Sequence, residues 1–563
     1  MTSTLSPQPL VSVRNLKVGF GKGADAHAVV HGVDFDLMPG ECLAIVGESG
    51  SGKSVTARSL IGLSGEGAQI SADELSVVGK DVRKNSAAQW RKVRGVQVGY
   101  VLQDALVSLD PLRTIGREIE DALRIHTRQS ASERRQNVLQ LLTDVGIPEP
   151  ELRIKQRSGD LSGGLRQRAL IASAVALKPP VLVADEPTTA LDATVQKQIL
   201  SLLTSLKKQG TALLLISHNL AVVGDMADRI AVMRAGEIVE AGPTAQILEN
   251  PQHEYTKRLL KAVPTGRPRG ERLSQEPVTI SERQHKIVES HRSSADSWNH
   301  SEPVLVGRNL RKTYRNPDGS SRIAVDDVSF ALNPGSTLGI VGESGSGKST
   351  VARMILGLAQ PDSGTVSLLG QPWSELKEKE RRPRRRHLAS IYQDPLGSFD
   401  PQWNVFQILA DAIPGSSKLS KSERESEVVQ LLQTVGLSAA VARRNPLRLS
   451  GGQRQRIAIA RTLASGPDII ICDEPVSALD VSIQAQVLDL LDALQEEFGL
   501  SYVFISHDLG VVQHISDEIL VMNKGRVVEA GRADEIFQNP QQDYTKALLA
   551  AAPRLATSTS GGQ

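Results

Sequence analysis

Short apolar runs of strand length alternate with stretches of helical periodicity along this chain. LAIVGE (43–48), VLVADE (181–186) and TALLLIS (211–217) each predict a buried strand. Between the last two, ATVQKQILSLLTSLKKQG places Val195, Ile199, Leu202, Leu203 and Leu206 on one helical face, and Gly210 ends the helix. Strands alternating with helices predict an α/β fold with a mostly parallel sheet and right-handed crossovers. Residues 104–160 and 394–448 read differently. There Val138, Leu141, Leu142 and Val145 recur as Val428, Leu431, Leu432 and Val435, all at helical spacing, which predicts a helical insertion in each half.

The pattern repeats. GESGSGKS stands at 47–54 and again at 342–349, so Lys53 and Lys348 are offset by 295. Gln103 matches Gln393 at 290, Ser162 matches Ser450 at 288, and His218 matches His507 at 289. NPQHEYTKRLL (250–260) matches NPQQDYTKALL (539–549), again at 289. Near-constant offsets predict two homologous domains, 1–264 and 303–556, with a tail at 557–563. Residues 265–302 are polar and lack sustained apolar periodicity, which predicts a flexible linker spanning roughly 35 Å end to end.

Composition narrows the classes. Lys and Arg number 65 against 63 Asp and Glu, a net charge of +2 that gives no electrostatic case for nucleic acid as a partner. The two cysteines, Cys42 and Cys472, fall in predicted strands of different halves, which argues against a disulfide and for reduced core thiols. No run of about 18 apolar residues occurs, and MTSTLSPQPL lacks a signal-peptide pattern. The expectation is a cytoplasmic protein whose membrane partners, if any, are separate subunits. RRPRRRH (381–387) is the one strong basic run, read as a solvated face or a contact for lipid headgroups.

The chemistry centres on the doubled loop. It fits G-x-x-x-x-G-K-[ST] between a strand and a helix, where glycines let successive backbone N–H groups face phosphate oxygens. The candidate phosphate-binding residues are Gly47, Glu48, Ser49, Gly50, Ser51, Gly52, Lys53, Ser54 and Val55, and Gly342, Glu343, Ser344, Gly345, Ser346, Gly347, Lys348, Ser349 and Thr350. Lys53 and Lys348 would neutralise β- and γ-phosphates, and Ser54 and Ser349 would ligate Mg²⁺. Asp185 and Asp473 end apolar strands and are placed to hold Mg²⁺. The next residues, Glu186 and Glu474, can polarise an attacking water. His218 and His507, each in ISH after a strand, read as γ-phosphate contacts, and Gln103 and Gln393 as reaching Mg²⁺ and the water. LSGGLRQR (161–168) and LSGGQRQR (449–456) open a second anion seat per half, through Ser162, Gly163 and Gly164 and through Ser450, Gly451, Gly452 and Gln453. Each half already has a phosphate loop, so the second seat reads as serving the other half's nucleotide.

With GESGSGKS, the glutamine loop, LSGG-x-RQR, ADEPTTALD or CDEPVSALD, and SH, the chain resembles the ATP-binding cassette ATPases over nearly its whole length. The resemblance implies tandem P-loop domains, each with a RecA-like sheet core, an antiparallel part and a helical subdomain. It implies head-to-tail pairing with one ATP between GESGSGKS of one half and LSGG of the other. It also makes Phe20 and Tyr314 the aromatics on adenine, and Asp192 and Asp480 the loop between sites. LSGGLRQRALIA, SGGQRQRIAIAR, QDALVSLDP, QDPLGSFDP and the NPQ-x-x-YTK-x-LL tails are similar to the two ATPase subunits of oligopeptide and dipeptide importers, here fused. That implies two transmembrane permease subunits, an extracytoplasmic solute-binding protein, and a place at the cytoplasmic face of the membrane. Glu254 and Asp543 depart from a frequent proline, and Leu165 from the signature glutamine. No cysteine-bearing extension follows the first half. The rival reading is a soluble tandem ATPase acting on ribosomes or DNA. A translation-type version would carry a longer, helical, basic linker and a repair-type version zinc-spaced cysteines, and neither is present.

Overall fold

The computed structural model describes residues 8–21, 27–103, 108–189, 191–275, 302–315, 319–477 and 479–553. The chain divides into two compact units, the bulk of the first lying before Lys261 and the bulk of the second being Lys261–Ala552.

In the first unit an antiparallel sheet pairs Val11–Phe20 with His27–Leu37, Ala68–Ser71 and Glu74–Val77. Beside it a six-stranded sheet runs in the order Glu237–Pro243, Arg229–Arg234, Cys42–Val46, Ala212–Ser217, Val181–Asp185, Val98–Val101. Its last five strands are mutually parallel. All five residues of Cys42–Val46 and of Val181–Asp185 are buried, as continuous apolar runs between helix layers must be. Val13, Leu16, Val33 and Leu37 from the antiparallel sheet join Ile45, Val183 and Leu214 from the parallel one in a single apolar cluster. That cluster fixes the two sheets against each other and sets the ends of the strands where the site residues stand. The described part of the insertion contains helices Ile115–His126 and Ala131–Asp144, the latter opened by a Ser130–Glu133 capping box. Residues 104–107 lie outside the described set.

The second unit repeats this plan. Leu305–Arg315 pairs with Ser321–Leu332 and Ser363–Leu368. Its six-stranded sheet follows the order Leu388–Ile391, Ile469–Asp473, Ser501–Ile505, Thr337–Val341, Glu518–Asn523, Arg526–Arg532. Helices Val405–Ala412 and Lys421–Thr434 fill the second insertion. The thiols of Cys42 and Cys472 are free and buried in non-equivalent strands, Cys42–Val46 of the first unit and Ile469–Asp473 of the second, and burial pushes the Cys42 thiol up to about 12, so it stays protonated.

One expectation changes. Residues 265–302 read as flexible linker, but residues 265–275 belong to the second unit, and Leu273 is buried there. Polar composition hid the docking, because the backbone N–H groups of Leu273 and Ser274 find a carboxylate, Asp489, that no local pattern announces. The remainder of the expected linker, 276–301, lies outside the described residues.

Asp492, on the helix Val481–Phe498, gives the second unit a pH-dependent stability. Burial, reinforced by the charges of Asp489, Glu496 and Asp517 and opposed by Arg269, raises its carboxyl to about 7. The folded state therefore holds a proton that the unfolded chain releases near pH 4. This contribution is complete at low pH and is lost as pH climbs to about 7, on the order of 2–4 kcal/mol in all. Asp492→Asn is expected to be more stable than the parent at pH 8 and to flatten the pH 5–8 dependence of thermal unfolding. An unchanged slope in that variant would assign it to other groups.

Candidate functional site

In the first unit the chain leaves strand Cys42–Val46 and turns through Gly47 with φ 151°. A Cβ on Gly47 would collide with the Met233 carbonyl, so the loop closes only because that position is bare. Gly50 and Gly52 also sit at positive φ, and helix Lys53–Ser59 begins immediately after. The Lys53 ammonium is folded into the loop, donating to the Gly47 carbonyl at 2.8 Å and the Glu48 carbonyl at 2.7 Å. The second unit repeats this: Gly342 has φ 148°, and Lys348 donates to Gly342 at 2.7 Å and Glu343 at 2.9 Å. Burial draws the Lys348 ammonium below its usual range, against the charge of Glu474. The result is a preformed cation inside a ring of backbone groups, which suits a polyphosphate.

Ser54 Oγ donates to Asp185 Oδ1 at 2.9 Å, and Tyr100 donates its phenol to Asp185 Oδ2 at 2.7 Å. Arg58 stands 3.6 Å from the same carboxylate, which is fully buried. Hydroxyl and carboxylate oxygens within one hydrogen bond of each other are the donor set a hard divalent cation takes. In the second unit Ser390 stands where Tyr100 does, so Asp473 has no phenol from that strand. Burial and then Glu474 raise the Asp473 carboxyl above its ordinary value.

Glu186 and Glu474 follow those aspartates in left-handed backbone, φ 50° and 51°, a conformation that costs a glutamate about 1–2 kcal/mol. Each is held there by its own N–H, which donates to the facing strand at 2.9 Å (Ile216 and Ile505 carbonyls). The turn aims the carboxylate at three side chains. Glu186 accepts from Gln103 Nε2 at 2.8 Å, from Thr189 Oγ1 at 3.0 Å and pairs with His218 Nδ1 at 3.1 Å. Glu474 accepts from Gln393 Nε2 at 2.8 Å and pairs with His507 Nδ1 at 3.2 Å. Burial pushes both glutamates up, but the histidine hydrogen bond and charge outweigh it and leave them below the usual range. Against burial, the same pairing raises His507. The glutamate is thus an ionised acceptor with its oxygens oriented, which is what polarising a water requires.

Gln103, Glu186 and His218, read separately from sequence, converge on one carboxylate, and their counterparts Gln393, Glu474 and His507 on another. Phe20 ends its strand against the apolar core, and Tyr314 stands more exposed under Lys312. Asp480 caps helix Val481–Phe498 by accepting from the Ile483 N–H, and Asp192 immediately precedes helix Ala193–Lys208. The signature segments stand apart in kind. Ser162 and Gly163, and likewise Ser450 and Gly451, are exposed at the start of helices Gly163–Val175 and Gly451–Ala464. Ser450 forms a capping box with Gln453, whereas Leu165 leaves the Ser162 hydroxyl without a cap bond.

Four contacts were not read from sequence: those of Tyr100, Thr189 and the two tail tyrosines, Tyr255 and Tyr544. Tyr255 accepts from the Glu48 N–H at 3.1 Å and Tyr544 from the Glu343 N–H at 3.3 Å, so each half's tail fixes its own phosphate loop. Their signal was present in the YTK of both tails at one offset. The basic run proves to be largely local scaffolding. Arg385 is bidentate to Glu378 and bonds the Leu356 carbonyl, Arg381 bonds Gly357, and His387 pairs with Asp468.

With this geometry in hand, the ABC transporter family model matches residues 30–189 and 325–477. The chain belongs to the ABC transporter ATPase family. Within it, the oligopeptide/dipeptide transporter C-terminal region matches residues 239–286 and 528–562. The chain is 45% identical over 548 residues to the peptidoglycan transport ATP-binding protein YejF of Agrobacterium fabrum, covering 97% of this chain and 96% of that one. It is 41% identical over 558 residues to the glutathione import ATP-binding protein GsiA of Escherichia coli K12, covering 97% and 89%. A crystal structure of an archaeal ribosome recycling factor in complex with the ribosomal stalk protein superposes over 91% of this chain and 89% of that one, with TM-score 0.57 at 20% identity. That similarity is one of fold. The protein is an ABC ATPase that binds and hydrolyses ATP with two cassettes on one chain, and it serves an importer. No helix among the described residues is long and apolar enough to cross a membrane.

Proposed function

We propose that this ATPase powers the uptake of peptides or peptide-like solutes through two separate permease subunits, at the cytoplasmic face of the membrane. An extracytoplasmic binding protein would choose the cargo. The observation that carries this reading is the peptide-transporter C-terminal region following each cassette. The names of the relatives, which concern glutathione and peptidoglycan, point to the same solute class.

Mg²⁺ would supply charge neutralisation for the phosphates when bound. Ser54 with Asp185, and Ser349 with Asp473, are the residues that would hold it, with Gln103 and Gln393 alongside. Lys53 and Lys348 bind the phosphates, Glu186 and Glu474 orient the attacking water, and His218 and His507 keep those carboxylates ionised and aimed. Each phosphate loop is completed by Ser162 or Ser450 of the opposite half. In support, both signature helices present an exposed Ser-Gly pair, while the loop, carboxylates and histidine of each half already converge without it. Closure of the halves around ATP would then move the permeases, and about 5.5 kcal/mol of differential binding carries such an equilibrium from 1:99 to 99:1.

The test is sedimentation. Expressed alone, the protein is expected in the supernatant, and with its permease subunits it is expected to pellet with membranes. Co-sedimentation with ribosomes in the absence of permeases would favour the rival reading.

A further inference from the structure

The segment TGRPRGERLSQ, residues 265–275, follows the last helix of the first cassette and lies on the second. Its contacts have the character of a recognised peptide. Asp489 of helix Val481–Phe498 accepts the Leu273 N–H at 3.0 Å, the Ser274 N–H at 2.7 Å and the Ser274 hydroxyl at 2.5 Å. Arg269 donates to Gln495 Oε1 at 2.7 Å, and its other arm pairs with Asp517. Gln495 is itself anchored, donating to the Leu500 carbonyl at 3.0 Å. Leu273 is 1% exposed. Thr265 crosses Gly510 so closely that a Cβ there would collide with its hydroxyl.

The duplication supplies the control. Arg168 reaches Gln198 in the first cassette as Arg456 reaches Gln486 in the second, which fixes the register of the two long helices. In that register Asp489 corresponds to Ser201 and Gln495 to Lys207, and by the offset of 289 between His218 and His507 Gly510 corresponds to Ala221. Lys207 bonds Asp228 at 3.0 Å, closing from within the first cassette the carboxylate whose counterpart, Asp517, waits for Arg269. Acceptor, anchor and bare crossing point all occur in the second copy and are all replaced in the first.

We propose that the second cassette carries a docking socket for residues 265–274, built from Asp489, Gln495, Asp517 and Gly510, whose occupant is this chain's own strap. Docking fixes residues 265–274 to the second cassette. It also braces helix Leu509–Ile515, which starts two residues beyond His507.

The experiment uses the full-length chain and follows amide exchange and trypsin cleavage within 265–275. In the parent the Leu273 and Ser274 amides are expected to exchange at least about 10²-fold more slowly than an unstructured peptide, with cleavage after Arg269 and Arg272 slowed in parallel. Asp489→Ser/Gln495→Lys/Gly510→Ala gives the second cassette the residues the first uses at those places, and is expected to bring exchange within about 10-fold of the unstructured rate. Arg269→Ala/Leu273→Ala, which leaves the cassette's own sequence intact, is expected to do the same while strand Ser501–Ile505 stays protected. Unprotected amides in the parent, or parent-like protection in both variants, would overturn the socket.

Discussion

Glu474→Gln is expected to lower ATP hydrolysis at the second cassette by about 10²–10⁴-fold while leaving ATP binding intact. The reasoning is local. The glutamine keeps the shape of Glu474, and its single carbonyl oxygen can accept from Gln393 Nε2 or from His507 Nδ1, which stand 2.8 and 3.2 Å from separate oxygens of the carboxylate. It loses the negative charge that the histidine stabilises, and with it the ability to polarise water. Lys348, proposed to bind phosphate, donates to the Gly342 and Glu343 carbonyls rather than to Glu474, so nucleotide affinity should persist. Glu186→Gln is the matching change in the first cassette, where the carboxylate also accepts from Thr189. The double variant should bind ATP and not turn it over. Normal turnover in both single variants would remove the assigned role from these residues.

How much of this was legible depended on how local each feature is in the chain. Lys53, Ser54, Asp185 and Glu186 stand in contiguous motifs whose flanking strands are buried apolar runs, so strand, turn and chemistry could be read together. The γ-phosphate contact expected of His218 rests only on repetition, and its pairing with Glu186 is visible only in the fold, since a lone histidine at a strand end has no specific meaning. Tyr255 was missed as a site residue because it reaches Glu48 from the far end of the cassette, and a hydrogen bond to a backbone N–H leaves no pattern in the donor's own segment. Nothing in its own segment marks Tyr100, whose hydroxyl meets Asp185 only in the fold. The strap at 265–275 was misread for the opposite reason. Its prolines, glycines and charges are what an unstructured linker would have, and the burial of one leucine and the satisfaction of two amides are supplied by residues more than two hundred positions away.

The second large effect is expected at a distance from the substitution, and it tests the composite-site account directly. Ser450 and Gly451 stand exposed at the head of helix Gly451–Ala464, and on the proposed function they seat an anion held by the other cassette's loop. Ser450→Phe fills that seat while leaving the sequence of both phosphate loops intact. If the seat completes the pocket of Lys53, the nucleotide lost is the one held by the first cassette. Photolabelling of the intact chain with an azido-ATP, followed by separate recovery of peptides from each half, measures this. The account predicts that Ser450→Phe lowers labelling of the Lys53 half by about tenfold or more, equivalent to about 1.4 kcal/mol of lost binding, with the Lys348 half unchanged. Loss confined to the Lys348 half would contradict it.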